Sequence, residues 1–439
     1  MARFFQPKKK KQTNKKHQLF SIEKLDHHGA GIAYENNKPV FIEGALPGEQ
    51  VLAQYSEVKS KFSRANLIKI QSESESRIEP FCSHYHECGG CNQQHLSLTD
   101  QLRYKQKTLI ELMSKFAGGV VSLEPVVQGE TKGYRRRARI SIKFDRKSQQ
   151  LNFGFRKKSS SQIANITHCP ILDVSLDALL LPLYELFKQF TAPDSIGHLE
   201  LVKGDNTTVI VIRHIKPLHP KDQGSLEAFA SENKLSLYLM PDTQTIERVV
   251  GERAYYSEGG VRIPFEPNNF IQVNQMVNKA MIDQALSWLD INQSDRVLDL
   301  FCGLGNFSLP IAQRVKSVIG VEGIDVMVKK ASENAKLNHL NNAEFFQANL
   351  EESSTKFSWA QEKFDKVLLD PARAGASVII DQISSFGASK VVYVSCNPAT
   401  LARDSQSLIA QGYKLERLGM LDMFPHTSHL ESMALFVKE

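Results

Sequence analysis

The stretch "RVLDLFCGLGNFSLP", Arg296–Pro310, decides the fold of this 439-residue chain. It opens as an apolar strand over Arg296–Leu300, turns on Gly303 and Gly305, and continues as a helix from about Asn306. Glycines let the backbone bend tightly beside a ligand, and the first N–H groups of the helix are left to bind it. The next apolar strand ends in "VIGVEG", which places Glu322 23 residues after Asp299. A carboxylate at that point accepts both hydroxyls of a ribose. Ser308 stands where the dinucleotide fingerprint favours a third glycine, so the glycines alone do not name the ligand.

Downstream, Val318–Val321, Ala343–Gln347, Lys366–Leu369 and Lys390–Val394 repeat the pattern of short apolar strands with helix-length segments between them. This alternation, from Asn274 onward, predicts a mostly parallel, doubly wound α/β sheet. Ligand and catalytic groups in such sheets gather at the carboxyl ends of the strands. "FDKVLLDPARAG" puts Asp370 and Pro371 there, and "KVVYVSCNPATLARD" puts Cys396 and Asn397 there. Each candidate has a plainer reading. Asp370 can cap a helix, Cys396 can be a small apolar filler, and Glu431 in "SHLESMALF" can be a solvated charge entering a strand. Cys302, inside the glycine turn, reads as packing.

Upstream the character differs. Residues 17–72 alternate in Gln50–Tyr55 and Ala65–Ile70 and turn at "HHGAG" and "LPGE". They predict a small barrel of about five strands. "QSESESRIEP" (Gln71–Pro80) reads as a polar linker, and Thr99–Phe116 as an amphipathic helix with a Thr/Asp cap that packs on the C-terminal domain. Residues 125–265 look strand-rich, with one helical interruption near Ser175–Phe190. The boundaries expected are a basic flexible tail over 1–16, a barrel over 17–75, a central domain over 76–270 and the α/β domain over 271–439.

Of the formal charge of +6, the seven Lys/Arg of the tail account for more than all, leaving −1 elsewhere. Such a tail is either simply solvated or a phosphate-tracking arm. "KGYRRRARISIK" (Lys132–Lys143) alternates, presenting arginines on one strand face, as a structured RNA surface would. No run approaches the roughly 18 apolar residues of a membrane span. The basic N-terminus leads into no apolar signal segment, so a cytoplasmic protein is expected.

Six cysteines in a long cytosolic chain point to metal or catalysis rather than disulfides. "FCSHYHECGGCNQQH" (Phe81–His95) holds Cys82, Cys88 and Cys91 with three histidines, and Cys169 follows in "ITHCPILD". This spacing leaves zinc and an iron–sulfur cluster both open, while the C-x2-C lacks the thioredoxin-like context of a redox pair.

"FIQVNQ", "DLFCGLGNFSLP", "LDPARAG", "SCNPATLARD" and "HLESMALF", in that order, resemble the RNA uracil-C5 methyltransferases over nearly the whole chain. The resemblance implies a class I S-adenosyl-L-methionine-dependent methyltransferase domain, with Cys396 as nucleophile and Glu431 as base. It assigns cofactor contacts to Gln272, Phe301, Asn306, Glu322, Asn349 and Asp370. Phe270 reads either as a ring that stacks on a base or as core packing. It also implies a [4Fe–4S] cluster on Cys82, Cys88, Cys91 and Cys169, in a central domain that binds RNA. The branch with this cluster and an N-terminal TRAM barrel acts on 23S rRNA. The substrate expected is therefore 23S rRNA before ribosome assembly is complete, met by a monomer without a membrane or obligate protein partner. A tRNA uracil-C5 methyltransferase and a noncatalytic, metal-stabilised RNA-binding or assembly protein are the competing readings.

Overall fold

Two-residue alternation near the N-terminus folds as strands β1 Gln18–Ser21, β2 Lys24–Leu25, β3 Gly31–Glu35, β4 Lys38–Ile42, β5 Gln50–Val58 and β6 Ser63–Ser72. They form one sheet in the order β1-β5-β6-β4-β3-β2 around Phe20, Val40, Ile42, Val51 and Ala53. The strand beyond the expected five is β2, two residues long and too short to show a period. The computed structural model describes residues 16–116, 122–242 and 245–438, so the basic tail lies outside them except for Lys16.

Two units divide the chain: Met1–Tyr85 with Cys91–Lys105 and His426–Ser428, and His86–Gly90 with Gln106–Pro425 and His429–Glu439. In the first unit the supposed linker is fastened. Arg77 donates from Nε to Glu49 Oε1 at 2.5 Å and from Nη2 to Oε2 at 2.9 Å, and Glu49 is buried. Helix α1, Leu98–Phe116, crosses from one unit's residues to the other's. Its start is capped by Ser97, not by Thr99: the Asp100 N–H donates to Ser97 Oγ at 3.3 Å, and the Ser97 hydroxyl donates to Asp100 Oδ2 at 2.7 Å.

Among the described residues, the second unit contains two seven-stranded sheets and a two-stranded one. The first comprises β7 Arg137–Asp145, β8 Gln150–Arg156, β9 Ile163–Asn165, β10 Ile196–Lys203, β11 Thr208–His214, β12 Ser236–Met240 and β13 Glu247–Val250. Its order is β13-β12-β11-β10-β7-β8-β9. Two helices, α2 Val174–Lys188 and α3 Pro220–Glu232, send Leu176, Leu180, Leu183 and Leu226 into its core. The sequence shows only α2, because α3 ("PKDQGSLEAFASE") has a polar first turn and buries just Asp222, Leu226 and Ala230. Val202, Val209, Val211 and Tyr238 join a different core. They share it with Ile263 of the hairpin β14 Tyr255–Glu258/β15 Val261–Pro264 and with Leu304 and Leu309 of the glycine turn and its helix.

After α4, Gln275–Leu289, the C-terminal sheet follows. Its elements are β16 Arg296–Leu300, α5 Ser308–Ala312, β17 Ser317–Glu322, α6 Asp325–Leu337, β18 Ala343–Gln347, β19 Lys366–Leu369, β20 Lys390–Ser395, α7 Pro398–Ala410, β21 Lys414–Leu421 and β22 Glu431–Val437. The order is β18-β17-β16-β19-β20-β22-β21. The first five strands in that order pair in parallel, and β22 runs antiparallel between β20 and β21. The strand order reverses direction between β16 and β19, the switch point beside which doubly wound sheets bind ligands.

Candidate active site

The turn after β16 is shaped by left-handed backbone. Gly303 has φ 56° and Gly305 φ 92°, and a Cβ on Gly305 would meet Leu309 Cγ at 2.8 Å. Phe301 also has φ 67°, a conformation costing a non-glycine residue roughly 1–2 kcal/mol. Its N–H donates to the Val321 carbonyl at 2.8 Å, which holds it there. Glu322, at the end of β17, accepts the Gly303 N–H at 3.2 Å and the Ile324 N–H at 3.0 Å. The next strand end is tied in by Ala348, whose N–H donates to the Glu322 carbonyl at 3.0 Å. Exposed Asn349 follows immediately, donating to Glu352 at 2.9 Å.

On the opposite flank, Asn306 pairs reciprocally with Asn278 at 3.0 and 3.2 Å and accepts the Tyr256 hydroxyl at 3.2 Å. Beneath the turn, Asp299 is fully buried; the Ser308 hydroxyl donates to its Oδ2, and its Oδ1 has no hydrogen-bond partner among the described residues. Burial, with the charges of Asp370 and Glu322 adding, pushes Asp299 up to about 7.

A second cluster forms where β20 and β22 end side by side. Ser395 and Ser432 form the last pair of β20 with β22, so Cys396 and Glu431 are the next residues beyond it, one on each strand's side. Cys396 is half-buried and Glu431 buried. Burial, then the charges of Glu431 and Asp370, push the Cys396 thiol up to about 11, and Arg373 opposes them. Burial and Asp370 likewise push Glu431 up to about 8, again against Arg373. Asp370, from β19, is raised to about 7 by burial. Three acidic groups thus crowd one corner, with one arginine acting on two of them. Arg373 is held in place: its carbonyl accepts the Asn397 amide at 3.0 Å, and its Nη2 lies 3.4 Å from His429 Nδ1. Reading the sequence singled out Asp370 and passed over Arg373 three residues on, although a lone cation after a strand-end Asp-Pro was the available signal.

The family described as tRNA (Uracil-5-)-methyltransferase matches residues 97–439. The chain belongs to this family. A TRAM domain matches residues 11–68. The 23S rRNA (uracil(1939)-C(5))-methyltransferase RlmD of Vibrio parahaemolyticus is 61% identical over 438 residues, covering all of both chains. The protein of that name from Vibrio cholerae is 57% identical over 439 residues, again covering all of both. In fold, the tRNA (uracil-54, C5)-methyltransferase of Pyrococcus abyssi, solved with S-adenosyl-L-homocysteine, superposes with a TM-score of 0.76 at 24% identity, over 96% of this chain and all of that one.

The chain is therefore an RNA uracil-C5 methyltransferase with an N-terminal TRAM domain and a class I methyltransferase fold, and the noncatalytic reading is set aside. Within this methyltransferase, Cys302 is buried, its thiol raised by burial, and its Sγ would sit 3.0 Å from a Cβ on Gly320, as packing requires. Phe270 is 69% exposed, which removes the core-packing reading of its ring. The cysteines outside the α/β domain are distributed between the units: Cys82 and Cys91 in the first, Cys88 and Cys169 in the second. Cys88 Sγ accepts the Gly90 N–H at 3.3 Å, and the Cys169 N–H donates to Asp177 at 2.6 Å. Among the described residues, no three His, Cys, Asp or Glu side chains assemble as a metal-holding group. No helix among them is long and apolar enough to cross a membrane.

Proposed function

We propose that this chain transfers the methyl group of S-adenosyl-L-methionine to C5 of one uridine in 23S rRNA, the uridine 1939 named for its relatives. The observation that carries the chemistry is that Cys396 follows the last β20–β22 pair and Glu431 precedes it, close enough for the Glu431 charge to act on the thiol. Full-length identity near 60% and the TRAM match support the ribosomal substrate over tRNA.

Uracil C5 is a weak nucleophile until a thiolate adds to C6. Cys396 loses its thiol proton to solvent and its Sγ forms that bond. The displaced electron pair makes C5 enolate-like, and C5 takes the sulfonium-activated methyl group that the donor supplies when bound, leaving S-adenosyl-L-homocysteine. Glu431 then accepts the C5 proton; the electrons of the C–H bond restore the C5–C6 double bond and expel Cys396 as thiolate. Charge sets an order on these roles. Ionised Glu431 and Asp370 both oppose thiolate formation, so addition is favoured while they are neutral. Once the thiolate has become a thioether, its repulsion is gone and Glu431 ionises more readily. The glycine turn, the Glu322 carboxylate and the Asn306 and Asn349 amides fit a ribonucleoside carrying an amino acid. In this reading Glu322 takes the ribose, Asn349 the adenine edge, Phe301 the pocket wall, and Gln272, Asn306 and Asp370 the remaining polar atoms.

Cys82, Cys88, Cys91 and Cys169 are proposed as ligands of one [4Fe–4S] cluster, a reading supported by four thiols in a chain with two others. No step of methyl transfer passes through it. The enzyme is read as a cytoplasmic monomer acting before ribosome assembly is complete. Mapping 5-methyluridine in RNA from a deletion strain, complemented with parent or Cys396→Ala, tests the function. Loss of the 23S rRNA mark, restored by the parent alone, is expected; loss of a tRNA mark instead would sink the substrate assignment. Anaerobic iron and sulfide analysis tests the cluster, which stoichiometric zinc without iron would exclude.

A further inference from the structure

Arg136 is 3% exposed, and both its Nη atoms are buried without a hydrogen-bond partner among the described residues. A buried, incompletely paired guanidinium costs stability, and replacing such a charge by an apolar group is often neutral or better. The Arg136 carbonyl accepts the Lys203 N–H of the central sheet at 2.8 Å, and the other three contacts of Arg136 run toward the site. Its N–H donates to the Val273 carbonyl at 2.9 Å and its Nε to the Gln272 carbonyl at 2.7 Å. Its guanidinium lies 4.8 Å from the centre of the Tyr256 ring, whose hydroxyl donates to Asn306. Nearby Glu258, also 3% exposed, bonds Asn278, the amide partner of Asn306. Arg136, Tyr256, Glu258 and Asn278 take no part in the chemistry above.

We propose that Arg136 is a positioning residue for methyl-donor binding: through Gln272 on one side and Tyr256 on the other, it fixes the two amides, Gln272 and Asn306, that hold the donor. This rests on the reading of Gln272 and Asn306 as donor contacts. Arg136 immediately precedes β7, which carries the exposed Arg139, so the strut also joins the central sheet to the donor pocket.

The test measures the dissociation constant of S-adenosyl-L-methionine by calorimetry and the melting temperature, on the full chain. Arg136→Met is expected to weaken binding about tenfold while melting within a few degrees of the parent, with Arg136→Lys recovering part of the loss. Combined with Gln272→Ala, it should weaken binding no further than Gln272→Ala alone. An arginine with a merely structural role gives the opposite result, a lower melting temperature with unchanged affinity in the folded protein, and that overturns the proposal, as do penalties that add. If Arg136→Met does not fold, Tyr256→Phe decides. About threefold weaker binding, not additive with Asn306→Ala, supports the strut; unchanged binding overturns it. Gln272→Ala and Asn306→Ala that both bind normally overturn the donor-contact reading and the proposal with it. An effect of Gln272→Ala with none from Arg136→Met overturns the proposal alone.

Discussion

At the scale of single residues, the site is governed by the cost of placing negative charge in one corner. Glu431, raised to about 8 by burial, must be ionised to take the C5 proton after methyl transfer, so single-turnover release of methylated RNA from Cys396 should climb as pH rises toward 8. A rate independent of pH between 6 and 9 would exclude Glu431 as the base. Glu431→Gln keeps the shape and removes the basicity; a covalent RNA adduct at Cys396 should then accumulate and be visible as a slow band in denaturing gels. Free product at the parental rate would refute the assignment. Asp299, Asp370 and Glu431 all have folded-state values raised above the unfolded values near 4. Below about pH 4 both states hold these protons and the stabilisation is complete; as pH rises to 7 or 8 only the folded state keeps them, so stability falls through that window. Asp299→Asn should flatten this fall, measured as urea unfolding at pH 5.5 and 8.5.

At the scale of elements, strands and turns were legible wherever a period ran for a full strand. Ala343–Gln347 and Lys366–Leu369 emerge with the boundaries their apolar runs predict, while Lys390–Val394 gains only Ser395. What stayed hidden has one of two physical causes. Some elements carry too few buried residues to leave a period, as with β2 and α3. Other features depend on pairing between distant segments. The Cys396–Glu431 proximity needs β22 to insert beside β20, and the Arg77–Glu49 clasp needs residues 28 apart. Resemblance supplied the first of these; nothing in the sequence supplied the second. Glu49→Gln should therefore destabilise the TRAM sheet by about 3–5 kcal/mol, because Arg77 loses its buried counter-charge. Thermal unfolding with a tryptophan-independent probe such as circular dichroism measures it. In the central sheet, Gly154 pairs with Asn165, and a Cβ there would lie 1.9 Å from the Ala164 carbonyl oxygen. Gly154→Ala should part β8 from β9 and lower stability by more than about 2 kcal/mol, read by the same unfolding curves.

At the scale of the whole molecule, charge and topology separate binding from chemistry. The tail of residues 1–16 carries seven cations, more than the chain's whole net charge, so removing it should flatten the salt dependence of RNA binding. The catalytic constellation is unaffected in that variant, and the reaction of saturating RNA should proceed at the parental rate. An unchanged slope of affinity against salt would mean that the tail does not meet phosphate.

Strand β22 has a consequence in time. It is the last strand along the described chain, yet it occupies an inner place in the sheet, between β20 and β21. Until it arrives, β20 has an open edge, β21 has no strand partner, and the corner that holds Cys396 lacks Glu431, the base proposed for it. Refolding should thus show cofactor binding recover before methylation does, and a chain that has not yet placed β22 should bind the donor without releasing methylated RNA. Such an enzyme is switched on by the completion of its own sheet.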